Sequence, residues 1–132
     1  MTIAPVKPQY AALLAVLTAD GHRVTIGEPK DTSTPYAVLW PGETRPEGTA
    51  RDPHADNVLT PQLTYIGAEP DEVLWLQDKL RPLVLALREL DGRPVRDMPE
   101  LSVSRRLERD DDLPGESLFY AIDLFRIVTT PA

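Results

Sequence analysis

Residues 63–90 read LTYIGAEPDEVLWLQDKLRPLVLALREL, and they place a strand directly before a long helix. Leu63 and Tyr65 alternate with polar neighbours, which is the period-two pattern of a strand with one apolar face. The strand is expected to end at Gly67. Pro70 and the acidic residues around it favour a helix start, because proline fits the first turn and carboxylates stabilise the positive end of the helix dipole.

The helix in this stretch carries an apolar stripe at helical spacing. The members of the stripe are Val73, Leu76, Leu80, Leu83, Val84 and Leu87. We expect the helix to end near Leu90, before the turn residues Asp91-Gly92. Pro82 lies within the stripe and lacks a backbone donor, so a kink or a break is expected near Leu80.

Three further elements are predicted before this stretch. Pro8 can open a first helix, whose apolar residues recur at three- and four-residue spacing until Asp20-Gly21. Residues 22–26 alternate in part, which predicts an edge strand or an extended arm. Residues 36–40, YAVLW, predict a strand that is buried on both faces or nearly so.

The C-terminal part of the chain predicts a hairpin. Residues 101–107 and 118–128 both alternate, and an acidic, turn-rich segment connects them. In the second of these strands Leu118, Tyr120, Ile122 and Leu124 share one face, which we interpret as the inward face. The predicted core therefore contains Leu63, Tyr65, Leu76, Leu80, Ile122 and Leu124.

The order of these elements predicts an α+β fold. It runs α-β-β-β-α-β-β, which lacks the strand–helix alternation of a parallel α/β fold. We expect two helices packed on one face of a largely antiparallel sheet of four to five strands. At 132 residues the chain is predicted to form a single domain, residues 1–132.

Residues 42–57 predict a long loop, because they are rich in charges and breakers and show no apolar periodicity. Loops of this length are uncommon in compact domains and often have a function of their own. Too little apolar surface is present to offset the entropy of ordering the backbone. We therefore expect this loop to be mobile in the isolated chain and to be ordered by contacts from outside it.

Charge and composition exclude several classes of function. The formal net charge of −7 opposes the counterion release that supplies most nucleic-acid affinity, so specific nucleic-acid binding is not expected. Cysteine is absent, which rules out disulfides, thiolate metal sites and cysteine nucleophiles. No apolar run approaches the length of a membrane span, and the first residues do not resemble a signal peptide.

The sequence offers no motif for catalysis or for a cofactor. Asp52 and His54 could be drawn as metal ligands, but they lie in a segment broken by proline that would not hold a fixed geometry. The run Asp110, Asp111 and Asp112 lacks the alternating ligands of a calcium loop. Nucleophile-elbow and phosphate-binding glycine motifs are missing. We expect neither metal nor cofactor and no enzymatic activity, although paired-carboxylate chemistry stays open because it depends on distances.

Several residues are candidates for a partner interface. Trp75 lies off the main stripe of the second predicted helix, and tryptophan is enriched at interfaces, although packing on a second core face is an alternative. Arg105 and Arg106 could form ion pairs with the acidic run of a neighbouring copy or could be solvated surface residues. The complete candidate set is Arg45, Arg51, Asp52, His54, Trp75, Arg105, Arg106, Asp110, Asp111 and Asp112.

Four segments together resemble a known family. They are YAVLWPG at 36–42, LTYIGA at 63–68, DEVLWLQDKLR at 71–81 and YAIDLFR at 120–126, with a charged loop after the first and an arginine-bearing strand before the last. Their order and spacing are similar to those of the tail terminator proteins of siphophages, particularly phages that infect actinobacteria.

This resemblance implies a structural protein of the virion tail, assembled in the host cytoplasm. It implies a subunit of a hexameric ring that caps the tail tube, stops its polymerisation and offers a surface for head–tail joining. The partners would be further copies of the chain, the tail tube protein and a head completion or connector protein. No catalytic residue is implied.

Two alternative functions remain open. A head completion or connector-type neck protein would share the composition and the ring symmetry, and its partner would be the portal or an adaptor. A small ligand-binding or hydrolytic α/β domain would require a concave pocket with convergent polar groups.

Overall fold

Two helices and nine strands form in the part of the chain that the structure, a computed structural model, describes: residues 7–29, 33–42, 44–47, 56–110 and 118–131. The helices are α1 (Lys7–Thr18) and α2 (Pro70–Leu85). The strands are β1 (Val24–Ile26), β2 (Tyr36–Trp40), β3 (Thr44–Glu47), β4 (Asp56–Leu59), β5 (Gln62–Gly67), β6 (Glu89–Leu90), β7 (Arg93–Pro94), β8 (Glu100–Asp110) and β9 (Leu118–Thr129).

Seven of the strands form one mixed sheet. Its order is β1-β2-β5-β9-β4-β3, and β8 pairs with β9. β1 is parallel to β2, and the other pairs are antiparallel. The α+β class and the edge position of β1 were predicted from the sequence, whereas the predicted strand number and order were wrong.

The difference in strand number has a physical cause at Thr60-Pro61. β4 and β5 pair with β9 in the same register, Leu59 opposite Ile127 and Gln62 opposite Leu124, so they continue one row of the sheet. Proline cannot donate to the ladder, which interrupts the row there. On the other side of this row β2 pairs with β5 and β3 pairs with β4, so β2 and β3 also lie end to end. The sheet therefore has five rows across its width: β1, β2 with β3, β5 with β4, β9, and β8.

Both helices pack into the same core against one face of the sheet. Tyr10, Leu13 and Leu17 of α1 and the stripe of α2 meet inward-facing strand residues. The buried strand residues of this core are Val24, Ala37, Leu39, Leu59, Leu63, Tyr65, Ala121, Phe125 and Ile127. The predicted packing of two helices on one face is therefore confirmed.

The helix α2 departs from its prediction at the C-terminal end. It is continuous through Leu80 and ends at Leu85, so neither a break near Leu80 nor an end near Leu90 is found. Pro82 lies in the last turn, where its missing donor affects a single intrahelical bond. Asp91 and Gly92, with φ of 51° and 74°, form instead the two-residue turn that joins β6 to β7.

The inward face of β9 is the opposite of the predicted one. Ala121, Phe125 and Ile127 belong to the core cluster, whereas the predicted members Ile122 and Leu124 do not. The other predicted core residues, Leu63, Tyr65, Leu76 and Leu80, are buried in it. Asp123 lies on this inward face among the same apolar neighbours and is buried with them, which fixes the orientation of β9.

The expected loop at 42–57 is also corrected in part. Residues 44–47 form β3, and residues 56 and 57 open β4. These strands lack apolar alternation and form through backbone pairing with each other, with Arg45 opposite Val58. Residue 43 and residues 48–55 lie outside the described residues, so the mobility of this segment stays a prediction.

Candidate functional site

The carboxylate of Asp123 is a fully buried charge, with a side chain that is 0% exposed. Strand alternation places it inward, because Asp123 lies directly opposite Leu63 of β5 and Ser104 of β8. It therefore sits beneath α2, between strands that both contribute to the inner face of the sheet.

Arg81 of α2 reaches this carboxylate as a bidentate partner. Its Nε donates to Asp123 Oδ2 at 2.9 Å, and its Nη2 donates to Oδ1 at 2.9 Å. The Arg81 side chain is 31% exposed, so one end of this ion pair is in contact with solvent. Such fork-to-fork geometry is the strongest form of the arginine–carboxylate interaction.

Three neutral donors complete the cluster. The Tyr65 hydroxyl donates to Oδ2 at 2.8 Å, Ser104 Oγ donates to Oδ1 at 2.7 Å, and Gln77 Nε2 donates to Oδ1 at 3.2 Å. Arg81 Nη2 also donates to Ser104 Oγ at 3.1 Å. The cluster, defined as Asp123, Arg81, Tyr65, Ser104 and Gln77, connects α2 with β5, β8 and β9.

Burial by itself would raise the pKa of Asp123, but hydrogen bonds from Arg81, Ser104 and Tyr65 outweigh this and hold the pKa below its usual value. Burial, together with the neighbouring carboxylate, raises the pKa of Tyr65. The carboxylate is therefore ionised and accepts five hydrogen bonds. Its lone pairs are occupied, which suits it to a structural role rather than to proton transfer.

Trp75 lies on the exposed side of α2, so it does not pack on a second core face, and its place in an interface stays a prediction. Its side chain is 48% exposed, and that of the adjacent Leu74 is 47% exposed. The ring of His22 contacts the indole edge to face, with centroids 5.7 Å apart. Next to it, residues before β1 and β2, including Arg23 and Pro35, line a depression of about 200 Å³.

The candidates Arg105 and Arg106 of β8 are also exposed. Arg105 lies opposite Ile122, so it belongs to the face of the sheet that the helices do not cover. Arg106 lies in a register irregularity between Arg105 and Glu108. Arg105 and Trp75 are therefore on opposite sides of the sheet, because α2 packs on the covered face.

The remaining candidates are only partly placed. Arg45 lies in β3, and Asp110 is the last residue of β8. The other five candidates lie outside the described residues: Arg51, Asp52, His54, Asp111 and Asp112. The ion pairing expected between the arginines and the acidic run of a neighbouring copy is thus untested.

Sequence reasoning missed the Asp123 cluster and part of the exposed apolar surface. A signal for the cluster was present, since a single aspartate interrupts the alternating stretch YAIDLFRIV at 120–128. Trp40 and Val103 are 40% and 49% exposed. Trp40 pairs with Gln62, Gln62 pairs with Leu124, and Leu124 pairs with Val103, so Trp40 and Val103 lie on the same face of the sheet.

Two further features of the described residues concern metal binding and membrane crossing. Among the described residues no group of three or more histidine, aspartate or glutamate side chains is arranged to hold a metal ion. In the same part of the chain, neither helix has the length and apolar character needed to cross a membrane.

Comparison with known proteins gives a likeness in structure. No protein-family model and no curated protein matches the chain in sequence. Among solved structures, a chain in the virion of a native gene transfer agent (GTA) particle superposes with a TM-score of 0.59 at 16% sequence identity. The match covers 94% of this chain and 92% of that chain. The two chains therefore share a fold over nearly their whole lengths.

Proposed function

We propose that this chain is a structural protein of a phage-like virion, and that it forms a ring on the end of the tail tube. The ring would terminate tube polymerisation and present the surface for joining the head. The observation that carries the proposal is the likeness in fold to a chain of a gene transfer agent virion particle over 94% of this chain. The sequence resemblance to tail terminators is independent support.

The chemistry of the described residues is consistent with assembly rather than turnover. The buried carboxylate of Asp123 is saturated by donors and neutralised by Arg81. Large apolar side chains are exposed instead, among them Trp75, Leu74, Val103 and Trp40. Exposed apolar residues grouped with charged neighbours are typical of protein–protein contact surfaces.

The proposal is tested by removing the gene from the particle-encoding genome and supplying the protein in trans. Electron microscopy of the particles then measures tail length and head attachment. Without the protein we expect tails of uncontrolled length that lack heads, and complementation should restore uniform, joined tails. Uniform tails attached to heads in the absence of the protein would refute the proposal.

The same experiment distinguishes tail termination from the alternative function, that of a head completion or connector-type neck protein. The likeness to a virion chain supports this function equally, because it concerns the particle as a whole. A neck protein would leave tail length unchanged and would abolish only the attachment of heads. Its purified form should then bind portal or adaptor and not the tail tube protein.

A further inference from the structure

An aromatic patch on α2 is a candidate docking surface. We define it as Leu74 and Trp75, both about half exposed, with Asp71 and Asp78 one helical turn away on either side. Lys79 also follows within a turn, so the patch has an apolar centre and a net negative rim. Aromatic centres with charged rims are where the binding energy of protein interfaces concentrates.

Two adjacent arginines on β8, a strand whose acidic and basic residues are balanced in number, offer a complementary surface. We define the basic edge as Val103, Arg105 and Arg106 of β8, all of them exposed. Neither arginine forms an ion pair with a residue that the structure describes. β8 contains two register irregularities, and such bulges discourage the addition of another strand. A partner would therefore contact the side chains of this edge rather than extend the sheet.

The two surfaces lie on opposite faces of the sheet, because α2 packs on the inner face whereas Val103 and Arg105 belong to the outer one. The aromatic patch adjoins His22, which directly precedes β1, whereas the basic edge is on β8 at the other end of the strand order. Three rows separate β1 from β8, which corresponds to roughly 20 Å at the usual strand spacing. Complementary surfaces that lie on opposite sides cannot meet within one chain, and they generate head-to-tail assemblies between copies.

We propose that the aromatic patch of one copy binds the basic edge of the next copy. The guanidinium of Arg105 or Arg106 would stack on the face of Trp75 and form ion pairs with Asp71 or Asp78. Val103 would pack against the apolar centre of the patch. A head-to-tail contact forms a ring when its rotation closes. The ring is taken from the proposed function, so the inference rests on that function and specifies its subunit interface.

This arrangement differs from a pairing of the arginines with the acidic run at Asp110–Asp112 of a neighbouring copy. That run lies at and beyond the end of β8, so such pairing would bring two β8 strands together. Where this contact is reciprocal, with both copies using the same surface, it produces a two-fold dimer and not a ring. The aromatic patch would then play no part in assembly.

The test uses variants of each surface in the full-length chain. The variants are Trp75→Ala for the patch and Arg105→Glu with Arg106→Glu for the edge. Matched controls are Met98→Ala, which removes a side chain that is 62% exposed, and Arg88→Glu, which reverses an exposed charge elsewhere. Native mass spectrometry and sedimentation measure the oligomers, and circular dichroism checks that each variant is folded.

We expect the wild type and both controls to form rings and each surface variant to be monomeric. The loss of a central aromatic or arginine contact should weaken association on the order of thirtyfold or more. An equimolar mixture of the two surface variants should give one-to-one dimers, because each mixed pair retains one intact contact. A second patch variant, Leu74→Ser, should behave like Trp75→Ala.

Three results would overturn the inference: a wild type that stays monomeric at its highest soluble concentration, surface variants that still form rings, or a Trp75→Ala variant that assembles while the arginine variant does not. None of them decides the proposed function, which is judged by tail length in particles. Normal tails in particles that lack the protein would in turn refute that function without altering the oligomers measured in solution.

Discussion

Removing the buried charge of Asp123 should be among the most destabilising changes to this fold. Asp123→Asn keeps the shape of the side chain but removes the charge that Arg81 neutralises. Breaking a buried ion pair from one side typically costs about 3–5 kcal/mol. Arg81 is 31% exposed and can be rehydrated, whereas the donors of Tyr65 and Gln77 are buried, so we expect a loss of about 3 kcal/mol.

The reverse change, Arg81→Met, leaves the carboxylate buried without its cation. The cost at pH 7 should be similar, but it should depend on pH. Asp123 has a folded-state pKa below its unfolded value of about 3.9, so the stability due to its charge is present above that value and is lost as the pH falls through the folded-state pKa. Because Arg81 contributes to this lowered pKa, the penalty of Arg81→Met should shrink as the pH falls below about 3.9.

Urea denaturation followed by circular dichroism measures these free energies without adding salt, which would screen charges. Low protein concentration keeps self-association from contributing to stability. Asp20→Asn, at an exposed position after α1, is the matched control and should change stability by less than about 0.5 kcal/mol. A loss below about 1 kcal/mol for Asp123→Asn, or an Arg81→Met penalty that does not vary with pH, would refute the structural role assigned to the cluster.

Three further predictions test the packing, again by urea denaturation. Leu80→Ala should cost about 2–5 kcal/mol because Leu80 is fully buried. Leu74→Ala, at a half-exposed position of the same helix, should cost less than about 0.5 kcal/mol. Equal effects would show that the buried face of the helix is misassigned. Phe125→Ala should cost about 3–5 kcal/mol and exceed Ile122→Ala, and the opposite ranking would restore the face of β9 expected from the sequence. Gly42→Ala should cost about 1–3 kcal/mol because the added Cβ would collide with the backbone carbonyl oxygen of Thr60. A stability equal to that of the wild type would show that Gly42 and Thr60 are not in close contact.

The elements that could be predicted are those whose own pattern decides their structure. The stripe of α2 and the alternation of β5 arise from burial on one face, so Leu76, Leu80, Leu63 and Tyr65 were assigned correctly. β2 was recognised because residues 36–39 are buried on both faces. In each case a local run of apolar residues is enough to define the inward side.

The features that could not be predicted depend on partners distant in the sequence. β3 has no apolar pattern and exists through its pairing with β4. β9 carries apolar residues on both faces, and alternation alone cannot tell which face is inward. The deciding residue is Asp123, whose burial is tolerable only because Arg81, 42 positions away, reaches it from α2. The alternation of Ile122 and Leu124 was therefore assigned to the inward face, and the structure places them on the other one.

The buried cluster also bears on assembly, because it joins the two elements that carry the proposed docking surfaces. Arg81 lies six residues after Trp75 on α2, and Ser104 directly precedes Arg105 on β8. Ser104 points inward to Asp123, so strand alternation turns Arg105 outward. Edge strands are among the parts of a sheet most prone to local opening, and a ring requires its two contact surfaces to keep a fixed relation in every copy. A bidentate ion pair that crosses from the helix to the edge strand provides such a relation, which gives a physical reason for a costly buried charge in a protein whose function is proposed to be assembly.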